Sequence, residues 1–102
     1  MKTCIACGMP LEGEHAKDFG MDLPEGPVCR FDIKDGALKD PADIYEGGVM
    51  FFLTVANNDK SLAERLTRRN MKSLPHWQAH PFSLLDGAEA TDAEWAEAMG
   101  KF

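Results

Sequence analysis

The chain has 102 residues, a formal net charge of −6 and 44% hydrophobic residues, which indicates one globular domain or two very small ones. The negative charge argues against non-specific attraction to nucleic acid or to an anionic membrane. The longest apolar run, residues 49–56, is far too short to span a bilayer.

The start of the chain and its thiols bear on where the protein works. Met1-Lys2-Thr3 leads directly into the first cysteine without the apolar segment of a secretion signal, so we expect no signal peptide and a cytoplasmic location. There are three cysteines, so a disulfide framework would leave one unpaired. Reduced thiols that bind a metal are therefore the better interpretation.

Cys4 and Cys7, followed by Gly8, have the spacing of half a zinc knuckle. A turn of this kind points both sulfurs at one point, and the glycine lets backbone N–H groups approach the thiolates. Cys29 lies downstream, but Asp32 stands where a second C-x-x-C pair would place its last cysteine. Tetrahedral Zn²⁺ takes four ligands, and structural sites usually draw all of them from protein. The sequence therefore predicts a metal held by the three thiols.

The fourth ligand has several candidates. Asp32 is favoured because carboxylate oxygen is an accepted zinc ligand, and His15, in the loop between the two halves, is the alternative. His76 and His80 have the H-x3-H spacing of finger-like sites. Water at the fourth position would permit catalysis, but no nearby residue has a spacing that argues for a general base.

Two other interpretations of the thiols stay open. They could be small buried residues without a ligand role, or Cys4 and Cys7 could form a redox pair. A thioredoxin-like pair is expected within a βαβ unit. No such pattern surrounds these cysteines, so metal binding is favoured.

The first third of the chain, to about residue 36, is too polar to fold by burial alone. It is rich in Gly, Pro and charge and poor in Val, Ile and Leu, so its apolar surface cannot offset its chain entropy. Zinc supplies about 10–16 kcal/mol to a small finger. We expect short strands near residues 19–21 and 28–31 and a turn at residues 34–36.

The next element is predicted as a helix over residues 40–55. Asp40 is a good N-cap and Pro41 a good first helical residue. Residues 49–55 have the composition of a strand, but a helical stripe is the stronger signal. The apolar stripe consists of Ile44, Gly48, Phe51, Phe52 and Val55.

Two further helices complete the expected fold. Residues 61–64 match a capping box for the first of them, and Asp59 is the alternative cap. Pro75 is expected to end this helix. Thr91 and Glu94 form a capping box for a last helix through Met99. The fold class is therefore small α+β: a metal-stapled N-terminal ribbon, residues 1–36, and about three α-helices in residues 37–102, packed on the ribbon as one compact unit.

The second helix carries a basic face, because residues 60–82 hold five basic residues and one acidic residue. Its members are Arg65, Arg68, Arg69 and Lys72. Such a face could contact phosphate or an acidic partner, or the acidic residues of the last helix could neutralise it. Neutralisation is favoured, because no aromatic platform for single strands accompanies the arginines.

The helix over residues 40–55 is apolar on most of its circumference, which favours a homodimer through this segment. The contact would be lined by Ile44, Phe51, Phe52 and Val55, with Gly47 and Gly48 allowing close approach. The competing account is that the same chain covers the helix with Leu62, Leu66, Trp77, Leu85 and Trp95.

Several motifs together resemble the zinc ribbon domain family of small proteins. They are the CIACGMPL string from Cys4 to Leu11, Asp18-Phe19-Gly20, Gly26-Pro27-Val28-Cys29 and Lys34-Asp35-Gly36. The resemblance continues through residues 44–48, 62–65 and 71–77, about three quarters of the chain. It implies a zinc ribbon fused to a short helical segment, and it implies almost nothing about activity. The family usually has cysteine at the position of Asp32.

We therefore expect a zinc-binding protein that is not an enzyme and whose ribbon serves as a protein-interaction, adaptor or regulatory module. One alternative is a nucleic-acid-binding or transcription-associated ribbon that uses the basic helix, residues 61–72. A second alternative is a zinc enzyme with an open fourth coordination position.

Overall fold

The computed structural model describes residues 3–101. Within them the chain forms two two-stranded antiparallel sheets followed by four α-helices. The strands are β1 (Phe19–Leu23), β2 (Gly26–Cys29), β3 (Ile33–Lys34) and β4 (Ala37–Leu38). The helices are α1 (Pro41–Leu53), α2 (Lys60–Lys72), α3 (Pro75–Ala79) and α4 (Asp92–Met99). The expected small α+β class is confirmed, whereas a zinc ribbon as such stays a prediction.

Two hairpins form the N-terminal part. β1 pairs with β2, with an irregularity in register between Phe19 and Met21. β3 pairs with β4 across a turn in which Asp35 and Gly36 have φ of 54° and 78°. Positive φ at both central positions is typical of a type I′ turn, which Asp-Gly favours. The turn expected at residues 34–36 is confirmed.

The second strand ends earlier than the sequence predicts. A strand was expected over residues 28–31, but β2 ends at Cys29 and a 3₁₀ turn, Arg30–Asp32, follows. In an extended strand, residues three apart lie on opposite faces and about 10 Å from each other. The 3₁₀ turn instead brings the Asp32 carboxylate back to the Cys29 thiol, at 3.3 Å.

α1 is a helix, so the alternative of a strand over residues 49–55 is wrong. Pro41 is its first residue after the N-cap Asp40, as expected. A Cβ at Gly48 would lie 2.8 Å from Cγ2 of Thr67, so α2 crosses α1 closely at this glycine. The close approach predicted for Gly47 and Gly48 thus occurs at Gly48 alone, and within one chain.

The later helices differ from expectation in two places. The side chain of Asp59, rather than Ser61, caps α2 by accepting from Leu62 N–H at 3.2 Å. Pro75 follows the end of α2 but also begins the short helix α3, because its fixed φ suits a first helical position. The capping box at the start of α4 is confirmed. Among residues 3–101, no helix combines the length and hydrophobicity needed to cross a membrane.

Helices α2 and α3 hold the loop that carries the first two cysteines. Trp77, which is 2% exposed, donates from its indole N–H to Ala6 O at 2.7 Å. Asn70 donates from Nδ2 to Cys7 O at 2.9 Å. The helical part therefore contributes directly to the position of the knuckle. The domain boundary at residue 36 stays a prediction.

Candidate metal centre

The loop around Cys4 and Cys7 is closed by its own backbone. Cys4 N–H donates to Met9 O at 2.8 Å, and Gly8 N–H donates to Cys4 O at 2.9 Å. Gly8 has φ of 80°, a conformation that glycine adopts without the cost of a Cβ. An N–H from another element also approaches a thiol, because the nitrogen of Cys29 lies 3.3 Å from Cys4 Sγ.

The structure brings Cys4, Cys7, Cys29 and Asp32 together. Cys29 ends β2, and the 3₁₀ turn that follows places Asp32 against two of the thiols. Asp32 Oδ2 lies 3.3 Å from both Cys4 Sγ and Cys29 Sγ, and Cys7 Sγ lies 3.7 Å from Cys29 Sγ. One ligand atom from each residue falls within 4.8 Å of all the others.

These distances fit a tetrahedral ion. With Zn–S of about 2.3 Å and Zn–O of about 2.0–2.2 Å, a tetrahedron has S–S edges of about 3.8 Å and S–O edges of about 3.5 Å. Cys4, Cys29 and Asp32 are 0%, 1% and 8% exposed, and Cys7 is half-buried, so three of the four members are shielded from water. Three thiols with one carboxylate are a donor set that suits Zn²⁺.

The four groups compete for protons because they are close and shielded. Hydrogen bonds from the thiols of Cys29 and Cys7 hold the pKa of Cys4 far below its usual range. Hydrogen bonds with Cys29 and Cys4, and then burial, raise the pKa of Cys7 far above its usual range. The hydrogen bond with Cys4, with burial, raises the pKa of Cys29 to about 12. A bound cation would remove this competition, since a coordinating thiol is deprotonated outright.

The pKa of Asp32 is raised, like those of Cys7 and Cys29. Burial, followed by the charge of Cys4, raises it from an ordinary 3.8 to about 6. A carboxylate placed in such surroundings is unfavourable unless a positive charge is near. A cation beside Asp32 would favour its charged form.

The histidines considered as alternative ligands lie elsewhere. His15 Nδ1 is 3.4 Å from Asp18 Oδ2, in the 3₁₀ turn Gly13–Asp18, and is not part of the cysteine cluster. His76 and His80 lie together with Glu25 in a separate group. The H-x3-H spacing signalled these two histidines, but nothing in the sequence singled out Glu25.

A cleft of about 800 Å³ lies beside the cysteine cluster and is lined by residues of both the N-terminal part and the helices. Its wall includes Cys7, Cys29 and Asp32. Phe31 and Phe51 also line it and are 52% and 55% exposed. Clefts of about 300–1,000 Å³ with mostly apolar walls are typical of ligand and anchor-residue sites.

The basic face of α2 is engaged within the chain. Three of its members form ion pairs with acidic residues in or near α4, in the pairs Arg65–Glu94, Arg69–Asp92 and Lys72–Glu89. Arg68 donates to the carbonyl oxygens of Leu84 and Ala88. Three of the four basic residues are thus neutralised as predicted, while Arg68 binds carbonyl oxygens, so the face offers less support for the nucleic-acid alternative.

The predicted dimer contact is wrong in its composition. Ile44, Phe52 and Val55 are only 4%, 4% and 7% exposed, because their own chain covers them. The Phe52 ring, for example, lies 6.2 Å from the ring of Trp95. Phe51 remains exposed. Homodimerisation itself stays a prediction, but not through this set of residues.

No family model, no curated protein and no solved structure matches this chain. The likeness to zinc ribbon proteins therefore rests on the motifs in the sequence, and membership of that family stays a hypothesis. The cluster of three cysteines with Asp32 stands independently of any family, because it is a feature of this structure.

Proposed function

We propose that this chain is a small zinc-binding protein whose metal is structural and which acts through contacts with another protein. The observation that carries the proposal is the mostly buried group of Cys4, Cys7, Cys29 and Asp32, with one ligand atom from each residue within 4.8 Å of the others. The proposed ion is Zn²⁺, one per chain. The proposed ligands are the three thiolates and the Asp32 carboxylate.

A structural role is supported by what the four residues connect. Cys4 and Cys7 belong to the first loop, whereas Cys29 and Asp32 flank the turn between the two hairpins. An ion at this place would join the first loop to the segment that follows β2. Zinc binding releases about 10–16 kcal/mol in small finger peptides, which is ample for a segment of this size.

The cleft beside the cluster is the proposed contact surface. Its exposed aromatic residues, Phe31 and Phe51, flank a mostly apolar wall. Buried aromatic anchors dominate the energy of many protein interfaces. We infer that the partner is a protein that inserts apolar side chains between ribbon and helices.

Metal analysis of the purified chain tests the first half of the proposal. Wild-type protein is expected to hold about one zinc per chain at the cluster, and Cys29→Ser is expected to lose most of it. His15→Ala serves as the control, since His15 lies outside the cluster. Full zinc in Cys29→Ser, or loss in His15→Ala, would contradict the proposed ligand set.

Two neighbouring residues of α1 allow a matched test of the second half. Phe51 lines the cleft, while Met50 is 70% exposed and does not line it. A partner captured by the wild-type chain should be retained by Met50→Ser and lost with Phe51→Ser. Equal capture by both variants would show that the partner binds elsewhere.

A zinc enzyme is the second candidate, and one observation favours it. Asp32 lines the cleft, so a ligand entering the cleft could replace this carboxylate and open a coordination position. Cobalt-substituted protein distinguishes the two functions. Small anions such as azide should leave the visible spectrum unchanged if the site is closed and structural, and should alter it if the position opens.

A further inference from the structure

A second group of ligand-type side chains lies apart from the cysteine cluster. His76 Nδ1 is 3.1 Å from Glu25 Oε1, and His80 Nε2 is 3.3 Å from Glu25 Oε2. One ligand atom from each of the three residues lies within 4.8 Å of the other two. We propose that Glu25, His76 and His80 form a second metal site, which binds Zn²⁺ or a similar divalent first-row ion through two imidazoles and a carboxylate.

The fold builds this triad from two distant segments. Glu25 lies in the turn between β1 and β2, and the histidines lie on α3 and at its C-cap. Residues four apart share one side of a helix, and His80 N–H donates to His76 O at 2.9 Å, which keeps this last turn helical. Both imidazoles therefore meet the hairpin turn together.

Packing fixes one of the ligands before any ion binds. His76 is 8% exposed, and its ring meets the Trp77 ring edge to face at 4.5 Å. Trp77 is itself held by its hydrogen bond to Ala6 O. A ring restrained in this way loses little freedom on binding an ion, which favours affinity.

The donor atoms and their spacing suit a borderline divalent ion. For ligands at about 2.0–2.1 Å from zinc, the edge of a tetrahedron is about 3.3 Å. Each imidazole nitrogen lies at about this distance from one oxygen of Glu25, His76 from Oε1 and His80 from Oε2. Imidazole suits zinc, copper, iron and nickel. The site would be weaker than the cysteine cluster, because it offers fewer ligands and no thiolate.

The triad is also partly open to solvent. The side chains of His80 and Glu25 are 58% and 40% exposed. Three protein ligands with a solvent-facing side leave a coordination position for water. We infer that the ion exchanges with solution, in contrast to the shielded ion of the cysteine cluster, and that it joins the tip of the first hairpin to α3.

Cobalt titration tests the proposal with a probe that reports on ligand type. The full-length chain, without a histidine tag and loaded with one equivalent of Zn²⁺, is titrated with Co²⁺ and followed by absorption. One further equivalent of Co²⁺ is expected, with d–d bands and no thiolate-to-cobalt charge-transfer band. A thiolate band would assign the bound cobalt to the cysteine cluster and would overturn the second site.

Three variants locate the bound ion. Glu25→Gln and His80→Ala should each weaken cobalt binding by more than the roughly 10–100-fold that loss of an outer-shell partner costs. His15→Ala, another histidine paired with a carboxylate, should bind cobalt as the wild type does. Circular dichroism confirms folding, which the exposed positions of Glu25 and His80 should preserve.

The outcome that overturns the proposal is equally definite. A wild-type chain that takes up no cobalt beyond the first metal, or one whose uptake both variants leave unchanged, would show that the triad is an ordinary hydrogen-bonded group. Because the thiolate band reports on the cysteine cluster alone, failure of one site is distinguishable from failure of the other.

Discussion

Asp32→Asn should have opposite effects on stability in the metal-free and the zinc-loaded protein. Asparagine keeps the shape of the side chain and removes its charge. Without a metal, the charge of Asp32 is unfavourable, because burial and Cys4 raise its pKa from 3.8 to about 6. With a metal, the same charge is a ligand. The variant should therefore stabilise the first state and destabilise the second.

The size of the first effect follows from the pKa. A carboxyl whose pKa is raised on folding stabilises the folded state when the pH is below its ordinary pKa. This stabilisation is lost as the pH rises through about 6. Each tenfold change in proton affinity corresponds to about 1.4 kcal/mol. Above that pH the charged carboxylate therefore lowers the free energy of unfolding by about 3 kcal/mol. Metal-free Asp32→Asn should gain up to this amount near pH 7.5 and only a small part of it near pH 4.

Loss of a ligand has the reverse sign in the loaded protein. A ligand that binds only the folded state stabilises it by about 1.4 kcal/mol for each tenfold ratio of its concentration to its Kd. Loss of even an outer-shell group weakens metal binding by about 10–100-fold. If Asp32→Asn weakens zinc binding by this factor or more, the stabilisation of the folded state by zinc falls by at least about 1.4–2.7 kcal/mol.

Urea denaturation with a chelator, and again with excess zinc, measures both effects. Asp18→Asn is the matched control, because Asp18 is 5% exposed but pairs with Arg30 at 3.1 Å, outside the cluster. It should destabilise the protein similarly in both conditions. A change of the same sign in both conditions for Asp32→Asn would refute the ligand role of this carboxylate.

Three further outcomes are expected. Asp32→Cys should retain zinc longer against a chelator than the wild type, because thiolate is the softer ligand; faster loss would argue that the carboxylate is not a ligand. Trp77→Phe removes the donor to Ala6 O and should lower the free energy of unfolding in urea by about 1–3 kcal/mol. It should also speed the loss of zinc to a chelator, whereas the control Trp95→Phe should leave that rate unchanged. Light scattering at micromolar concentration should give a mass that rises with concentration if exposed residues such as Phe51 form the predicted homodimer; the mass of one chain at every concentration would contradict it.

Short-range patterns predicted much of what the structure shows. The Asp-Gly turn between β3 and β4, the Asp40-Pro41 start of α1 and the Thr91 capping box depend on backbone chemistry within a few residues. The meeting of the cysteines with Asp32 was also predictable. Their spacing in the sequence is itself the signature of a two-part metal site.

Features that depend on docking of distant segments were not predictable. Glu25 meets His76 across a sequence separation of 51 residues, and no pattern near Glu25 points to that contact. The apolar surface of α1 suggested a second chain, because its sequence does not show that α2 passes within reach of Gly48. In the sequence Pro75 indicates the end of α2, but proline also suits a helix start, and only the structure shows that α3 begins there.

X-ray absorption at the zinc edge tests most directly whether Cys4, Cys7, Cys29 and Asp32 hold one zinc ion. The His80→Ala chain with a single equivalent of Zn²⁺ is the proper sample, since it removes a ligand of the proposed second site. Three sulfur neighbours at about 2.3 Å and one oxygen at about 2.0–2.2 Å are expected. A shell of nitrogen and oxygen without sulfur would contradict zinc binding by the cysteine cluster.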